Sequence, residues 1–432
     1  MNKLSLFILI LIIINNCSIN KKQRFWDKEK SNIKETVNVK KILTKQIKKE
    51  QELNPTLKIK ITGNKFNKNF ENNQNDIGEL FYEGVLEEVG KYKFSKFDDF
   101  EYIDVQPIFY NKNIIFFDNK GTIVFYGQNQ KIIWKKNYYN KSEKKLKPRL
   151  NFAIHKNTLI VTDNVAKYYA INIENGDIIW SKNNIVPFNS EIKIKNDIFY
   201  TVDYKNILRS ISIKDGRELW NLKTEETLIK SNSKISVTIE KENIYFNNSI
   251  GDITAANLKS GQLIWQLPTQ SDNISKNAFQ LSNSELVIND DAVLFSNNTN
   301  EFYSIDTTTG LINWKNEINS DLRPVVIGRF IITVSEKGYL YIIDKKIGNI
   351  IRISDLHQDY KIKNKKDILT TGFFVALNKV YLLNDDGMLI IADLSTGSII
   401  SKNKISGNKI LKPYVNNKNL FLIKNGSIIK YN

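Results

Sequence analysis

Cysteine and histidine are nearly absent from this sequence. Among 432 residues there is one Cys, Cys17, and two His, His155 and His357. One thiol excludes any intramolecular disulfide and any thiolate metal cluster, since both need at least two. Two imidazoles leave little for a His-based metal site or for paired acid–base work, so no metal and no cofactor are expected. The familiar reactive motifs are missing as well: there is no Gly-x-Ser-x-Gly, no Gly-x-x-x-x-Gly-Lys-Ser/Thr and no His-Glu-x-x-His. After residue 100 no stretch sustains a helical period.

What the chain has in excess is positive charge, formally +17. Much of it has a local source. Residues 21–60 hold 13 Lys and Arg against 5 acids, a net +8 ahead of the patterned part of the chain. The remaining Lys is spread evenly, unlike a groove built for phosphate, so nucleic acid is not an expected partner. A basic segment near a membrane is drawn to anionic lipid.

The N-terminus reads as an address. Lys3 is followed by the apolar run Leu4–Ile14, too short for the roughly 20 residues that span a bilayer and the right length for a secretory core. It ends in Ile14-Asn15-Asn16-Cys17-Ser18, which resembles a bacterial lipoprotein signal with Cys17 as the acylated residue. Asn16 departs from the Gly or Ala usual there. Residues 1–16 are therefore expected to be a signal peptide, with 17–88 a basic tether and lead-in. Resemblance to such signals also implies that Ser18 directs the product to the outer membrane.

The rest is one phrase repeated. An apolar run, a polar turn, a second apolar run and a Gly turn lead to Trp in five copies, as in Thr158–Asp163, Lys167–Asn172 and Gly176-Asp177-Ile178-Ile179-Trp180. Trp134, Trp180, Trp220, Trp265 and Trp314 stand 46, 40, 45 and 49 residues apart. Two later copies, around Gly348 and Gly397, keep the frame without the indole, and an eighth starts at Pro413 and stops after Gly426–Tyr431. Runs of four to six β-branched and aromatic residues between Asn, Asp and Gly are strands joined by tight turns. A period near 45 residues with three or four such strands is the signature of a propeller blade.

The expected fold is all-β, an eight-bladed β-propeller over residues 89–432, its incomplete last blade closed by a strand from the N-terminal segment. The closing strand is read at Tyr92–Phe97, with Leu57–Ile61 as the competitor. The five Trp would dock neighbouring blades; full burial would stabilise by about 4–6 kcal/mol each.

The phrase apolar-run, Asp/Asn-x-x-Gly, apolar-run, Asp/Asn-x-x-x-Gly, Trp is similar to the pyrroloquinoline-quinone-type propeller repeat. A lipoprotein-like signal ahead of seven and a half such repeats resembles one branch of it, the BamB family of the outer-membrane β-barrel assembly machinery. The resemblance covers about residues 105–432 and the signal. It implies a non-catalytic scaffold without cofactor, lipid-anchored to the outer membrane on its periplasmic side, that binds the central barrel-assembly protein and can meet unfolded outer-membrane protein clients. Family contacts fall in the loops after the third and fourth blades, here Asn221–Ser236 and Gln266–Asn283. Leu228, Ile229 and Lys230 match an apolar pair followed by a base, Lys standing where the family has Arg and forfeiting bidentate geometry. Asp272 matches one of a pair of Asp, and the second is missing. Exposed strand edges would offer pairing to extended segments.

A quinone-dependent dehydrogenase shares the repeat. That class resembles this chain in frame only: its adjacent Cys pair cannot be drawn from one Cys, and Asp290-Asp291 and Asp385-Asp386 read as turn doublets rather than calcium ligands. A third reading is an envelope propeller with another partner.

Overall fold

The computed structural model describes residues 53, 82, 84–226, 233–269, 281–360 and 368–432. The signal segment 1–16 and Cys17 lie outside them, as do Leu228, Ile229, Lys230 and Asp272. Eight four-stranded antiparallel sheets make up the described fold. Blades 1 to 7 each run in chain order through residues 108–136, 150–183, 193–223, 237–267, 287–316, 325–355 and 370–404. First strands of neighbouring blades lie against one another, so they ring the axis and each fourth strand is outermost.

The eighth blade is built from Tyr414–Asn416, Asn419–Lys424 and Ser427–Tyr431, and its outer strand is Glu88–Lys93. Lys91 faces Ile429 and Tyr92 faces Ile428 in antiparallel register, with a bulge between Glu88 and Gly90. This closes the ring by giving the last blade its fourth strand, which covers the outer side of Ser427–Tyr431. The sequence reading placed this strand four residues too late. Only Tyr92 and Lys93 of the expected stretch pair; Phe94 and Phe97 leave the sheet. Phe97 is buried edge-on to Phe116 and Phe117 of blade 1, ring centroids 6.2 and 5.7 Å away. Asn425 clamps its backbone, accepting from the Phe97 amide at 2.9 Å and donating to its carbonyl at 3.0 Å. The true start was hard to see because Gly90, an inward position, carries no side chain to mark the alternation. The competitor, Leu57–Ile61, lies outside the described residues.

Two local devices recur from blade to blade. The turn between second and third strands is closed by an Asx side chain: Asp118 Oδ1 accepts from the amides of Lys120 and Thr122 at 2.9 and 3.0 Å, and Asp163 and Asp203 repeat the pattern. In blades 2 to 7 the turn between third and fourth strands ends in a Gly of positive φ. At Gly216 (φ +67°) an added Cβ would come 2.7 Å from the Trp180 ring of the preceding blade, so only Gly serves both turn and packing.

Middle strands are buried along their whole length, for example Leu159–Val161 and Leu340–Ile343, because adjoining blades cover both faces. Outer strands are half exposed. Trp134 is buried and its indole N–H donates to Ile173 O at 2.8 Å; Trp180, Trp265 and Trp314 donate likewise across to Ile213, Thr307 and Lys345 at 2.7, 3.0 and 3.0 Å. Trp180, Trp220, Trp265 and Trp314 are half-buried, so the full-burial figure overstates their contribution. A helix of five residues, Lys141–Lys145, capped by Asn140, bridges blades 1 and 2. No helix among the described residues is long and apolar enough to cross a membrane.

Candidate functional site

The segments that carry the chain from the outer strand of one blade to the inner strand of the next gather at one end of the axis. There they enclose a cavity of about 900 Å³ to which all eight blades contribute. Its wall carries charge of both signs: Asp104, Glu191, Glu285 and Asp321 together with Arg149, Lys234, Lys409 and Lys412.

These side chains reach the axis through a short phrase preceding the inner strands. Asn189-Ser190-Glu191, Asn283-Ser284-Glu285 and Asn319-Ser320-Asp321 place an acid at the wall of blades 3, 5 and 6. The Ser turns inward and fixes the strand behind it. Ser190 Oγ accepts from the Val202 amide at 2.7 Å, Ser284 Oγ from the Ser296 amide at 3.0 Å, and Ser320 Oγ donates to Val334 O at 2.6 Å. Blades are stitched sideways at the same level, Asn189 donating to Ser233 O at 3.2 Å and the Leu286 amide to Ser236 Oγ at 2.9 Å.

The charges form a network across the axis. Lys412 of blade 8 stands 3.2 Å from Asp104, before blade 1, and 3.7 Å from Glu285 of blade 5, which is 3.6 Å from Arg323. Lys193 and Glu191 meet at 2.7 Å with both side chains 4% exposed, and such a pair is tolerated only because each partner neutralises the other. Arg149 pairs with Asp99 and lies over the Phe97 ring at 4.9 Å. Burial pushes the Asp104 carboxyl up, but Lys412, Lys234 and Lys409 outweigh it and hold the group below the ordinary range. Burial likewise works against Glu191, where Lys193, Lys234 and Arg323 prevail and hold it low. Lys412 is held above its ordinary value: burial disfavours its charge, and Asp104, Glu285 and Asp321 more than restore it.

Such a wall can recognise a partner's charged groups and offers little for catalysis. No His or Cys lines it. His155 and His357 lie elsewhere and apart. His155 Nε2 meets Asp197 Oδ1 at 2.5 Å, and His357 is buried, its Nε2 3.1 Å from Asn384 Oδ1. Both Asp doublets are engaged in turns and ion pairs: Asp290 with Lys345 at 2.6 Å, Asp385 accepting from the Leu369 amide at 3.0 Å, Asp386 from the Met388 amide at 3.0 Å. Among the described residues no group of three or more His, Cys, Asp or Glu could hold a metal ion.

The described C-terminal ends of the two loop segments marked by the sequence reading line this mouth. Ser233, Lys234 and Ser236 at the end of the first, and Ser282 and Asn283 at the end of the second, line the cavity. Thr224 and Thr269 tie down their other sides, donating to Asn206 O at 3.0 Å and Gly251 O at 2.8 Å. Sequence reasoning missed the wall itself. The signal was the Asn-Ser-acid triplet, which recurs ahead of the inner strands of blades 3, 5 and 6.

The family model described as outer membrane protein assembly factor BamB matches residues 119–354, more than half of the chain and nearly all of blades 1 to 6. The chain belongs to this family. Among curated relatives, the BamB of Legionella pneumophila (strain Paris) is 23% identical over 191 residues, 42% of this chain and 44% of that protein. The chain spans about half the length of the curated relatives it matches. Among solved structures, BamB from Moraxella catarrhalis superposes with a TM-score of 0.65 at 15% identity, over 80% of this chain and 99% of that one. The quinohemoprotein alcohol dehydrogenase of Comamonas testosteroni follows with a TM-score of 0.56 at 10% identity, over 82% and 78%. At these identities both structures speak for the fold alone.

Proposed function

We propose that this chain is a recognition scaffold of the outer-membrane β-barrel assembly machinery, held on the periplasmic side of the outer membrane by a lipid on Cys17. Its partner in this reading is the central assembly protein, with unfolded barrel clients as passing ligands. The family match over residues 119–354 carries the reading. The mouth supports it locally: the ends of the loops after blades 3 and 4 meet a wall of mixed charge, which suits a polypeptide surface presenting both signs. Leu228, Ile229, Lys230 and Asp272 belong to those loops and are the proposed contact residues.

The dehydrogenase reading fits these residues poorly. One Cys in the chain cannot form a vicinal pair, the described residues offer no metal-binding group, and Asp104, Glu191 and Glu285 are already engaged by Lys and Arg. No quinone step is therefore derived.

Titration of the purified full chain against the periplasmic domains of the central assembly protein tests the proposal. Changing Lys234 and Lys409 together to Glu is expected to weaken binding at least ten-fold and to steepen no part of the unfolding curve. Unchanged affinity in that variant would remove the mouth from the interface. Replacing Cys17 by Ala is expected to release the protein from membranes, and continued membrane association would remove the anchor.

A further inference from the structure

The outer strands differ in how they guard their open edges. Six of the eight carry Lys, the residue that most discourages unwanted pairing: Lys135 and Lys136 in blade 1, Lys182, Lys223, Lys315, then Lys402 and Lys404 in blade 7, with Lys91 and Lys93 in the closing strand. Leu263–Leu267 of blade 4 and Ile350–Asp355 of blade 6 have none. The Arg352 side chain does not guard the blade 6 edge. It is 5% exposed and donates from Nη1 to Thr396 O of blade 7 at 2.7 Å.

On that unguarded edge the chain has laid its own backbone. Leu53 pairs antiparallel with Ile353, its amide donating to Ile353 O at 2.9 Å and its carbonyl accepting from the Ile353 amide at 3.0 Å. Of the isolated bridges among the described residues, this one alone involves a fourth strand of a blade. A reciprocal pair of this kind is the unit from which an antiparallel ladder grows, the next such positions lying two residues away on each strand. In the direction of rising number on the tether that position is Pro55, which has no N–H to donate. A proline there cannot donate to the ladder, and a strand without it can make a longer ladder on the same edge.

We propose that the outer edge of blade 6 is a strand-acceptor site for extended polypeptide, and that the chain's own stretch at Leu53 is its resident occupant. The occupant satisfies the edge at Ile353 and shields it from self-association, while Pro55 leaves it displaceable by a segment able to pair further along the strand. The site is separate from the axial mouth and does not depend on the partner assigned there.

Two readouts test this on the full chain. Leu53→Pro removes one of the two hydrogen bonds without touching any blade. The Ile353 amide, followed by hydrogen exchange, is expected to exchange at least ten-fold faster in that variant. A fluorescent peptide of residues 46–54 is expected to bind Leu53→Pro at least ten-fold more tightly than the unaltered protein. The same peptide with Pro in place of Leu at the position of Leu53 should not bind. Adding Ile353→Lys should abolish peptide binding, whereas Gln266→Lys on the blade 4 edge should not. Equal peptide affinity for both proteins, an Ile353 amide indifferent to Leu53→Pro, or loss of binding through Gln266→Lys alone would each overturn the proposal.

Discussion

Blades 1 to 5 and blades 6 and 7 share one frame and are joined by different chemistry. In the first group a Trp lies on the turn Gly of the next blade, standing in blades 2 to 5 four residues after its own blade's turn Gly and in blade 1 four after Gln130, and four of the five indoles donate to a carbonyl there. In blade 6 that position is Arg352, which reaches Thr396 O instead, and Ser354 stands under Gly397. In blade 7 it is Ser401. The frame is therefore set by the turns and by the middle strands, which are alike in all blades. The docking residue at the outer strand is free to vary.

Removing the indole should break the comparison most strongly. Trp134→Ala deletes a buried ring and an inter-blade hydrogen bond, and is expected to cost about 4 kcal/mol in denaturant unfolding. Ser401→Ala, at the matching position of blade 7, is expected to stay within about 0.5 kcal/mol. Similar costs for the two would mean that the indoles do not hold the blades together.

The Gly beneath the indole comes next. Gly261 has φ +72° and an added Cβ would lie 2.5 Å from Trp220, so Gly261→Ala combines backbone strain with overpacking, about 3 kcal/mol in all. Gly407 has nothing within 4 Å of an added Cβ, and Gly407→Ala should leave the melting temperature almost unmoved. Arg352→Met is expected to cost about 2 kcal/mol, the worth of one hydrogen bond from a charged donor. A loss below 0.5 kcal/mol would show that blade 6 docks through packing alone.

The smallest difference is one of pH. Burial raises the Asp163 carboxyl of blade 2 to about 6, although Tyr139 and the amides of Lys167 and Val165 donate to it. Its stabilising contribution is complete below the unfolded value near 4 and is lost as pH rises through about 6. From pH 5 to 7.5 the loss is about 1 kcal/mol, so Asp163→Asn should gain on the unaltered protein over that interval. Asp344 of blade 6 has the opposite sign: burial works against its charge, but Arg329 and the amides of Lys346 and Ile347 hold it below the ordinary range. Its contribution is present at neutral pH and is lost only as pH falls through that lowered value, so Asp344→Asn should fall behind at neutral pH. Parallel pH profiles for the two variants would contradict these assignments.

The frame was legible because its punctuation is chemical. Asn257-x-x-x-Gly261 and its counterparts state a turn, and the Trp that follows states what covers it. Closure was half legible: the missing strand had to come from before residue 105, but Gly90 hid its register. The wall of the mouth was not read because Glu191, Glu285 and Asp321 are surface-like residues in a polar phrase, and only the ring turns them inward together. The pairing of Leu53 with Ile353 had no signal in Leu53 itself. The absence of Lys from the blade 6 edge strand was the visible half of that contact.

The central claim, that this propeller acts by recognition within the barrel-assembly machinery, is tested most directly by affinity capture. The tagged full chain would be drawn from gently solubilised envelopes of its own organism and the co-purifying proteins identified by mass spectrometry. The account predicts recovery of the central assembly protein, lost when Leu228, Ile229 and Lys230 are changed together. Capture of a correctly folded chain that brings down other envelope proteins and never that one would contradict it.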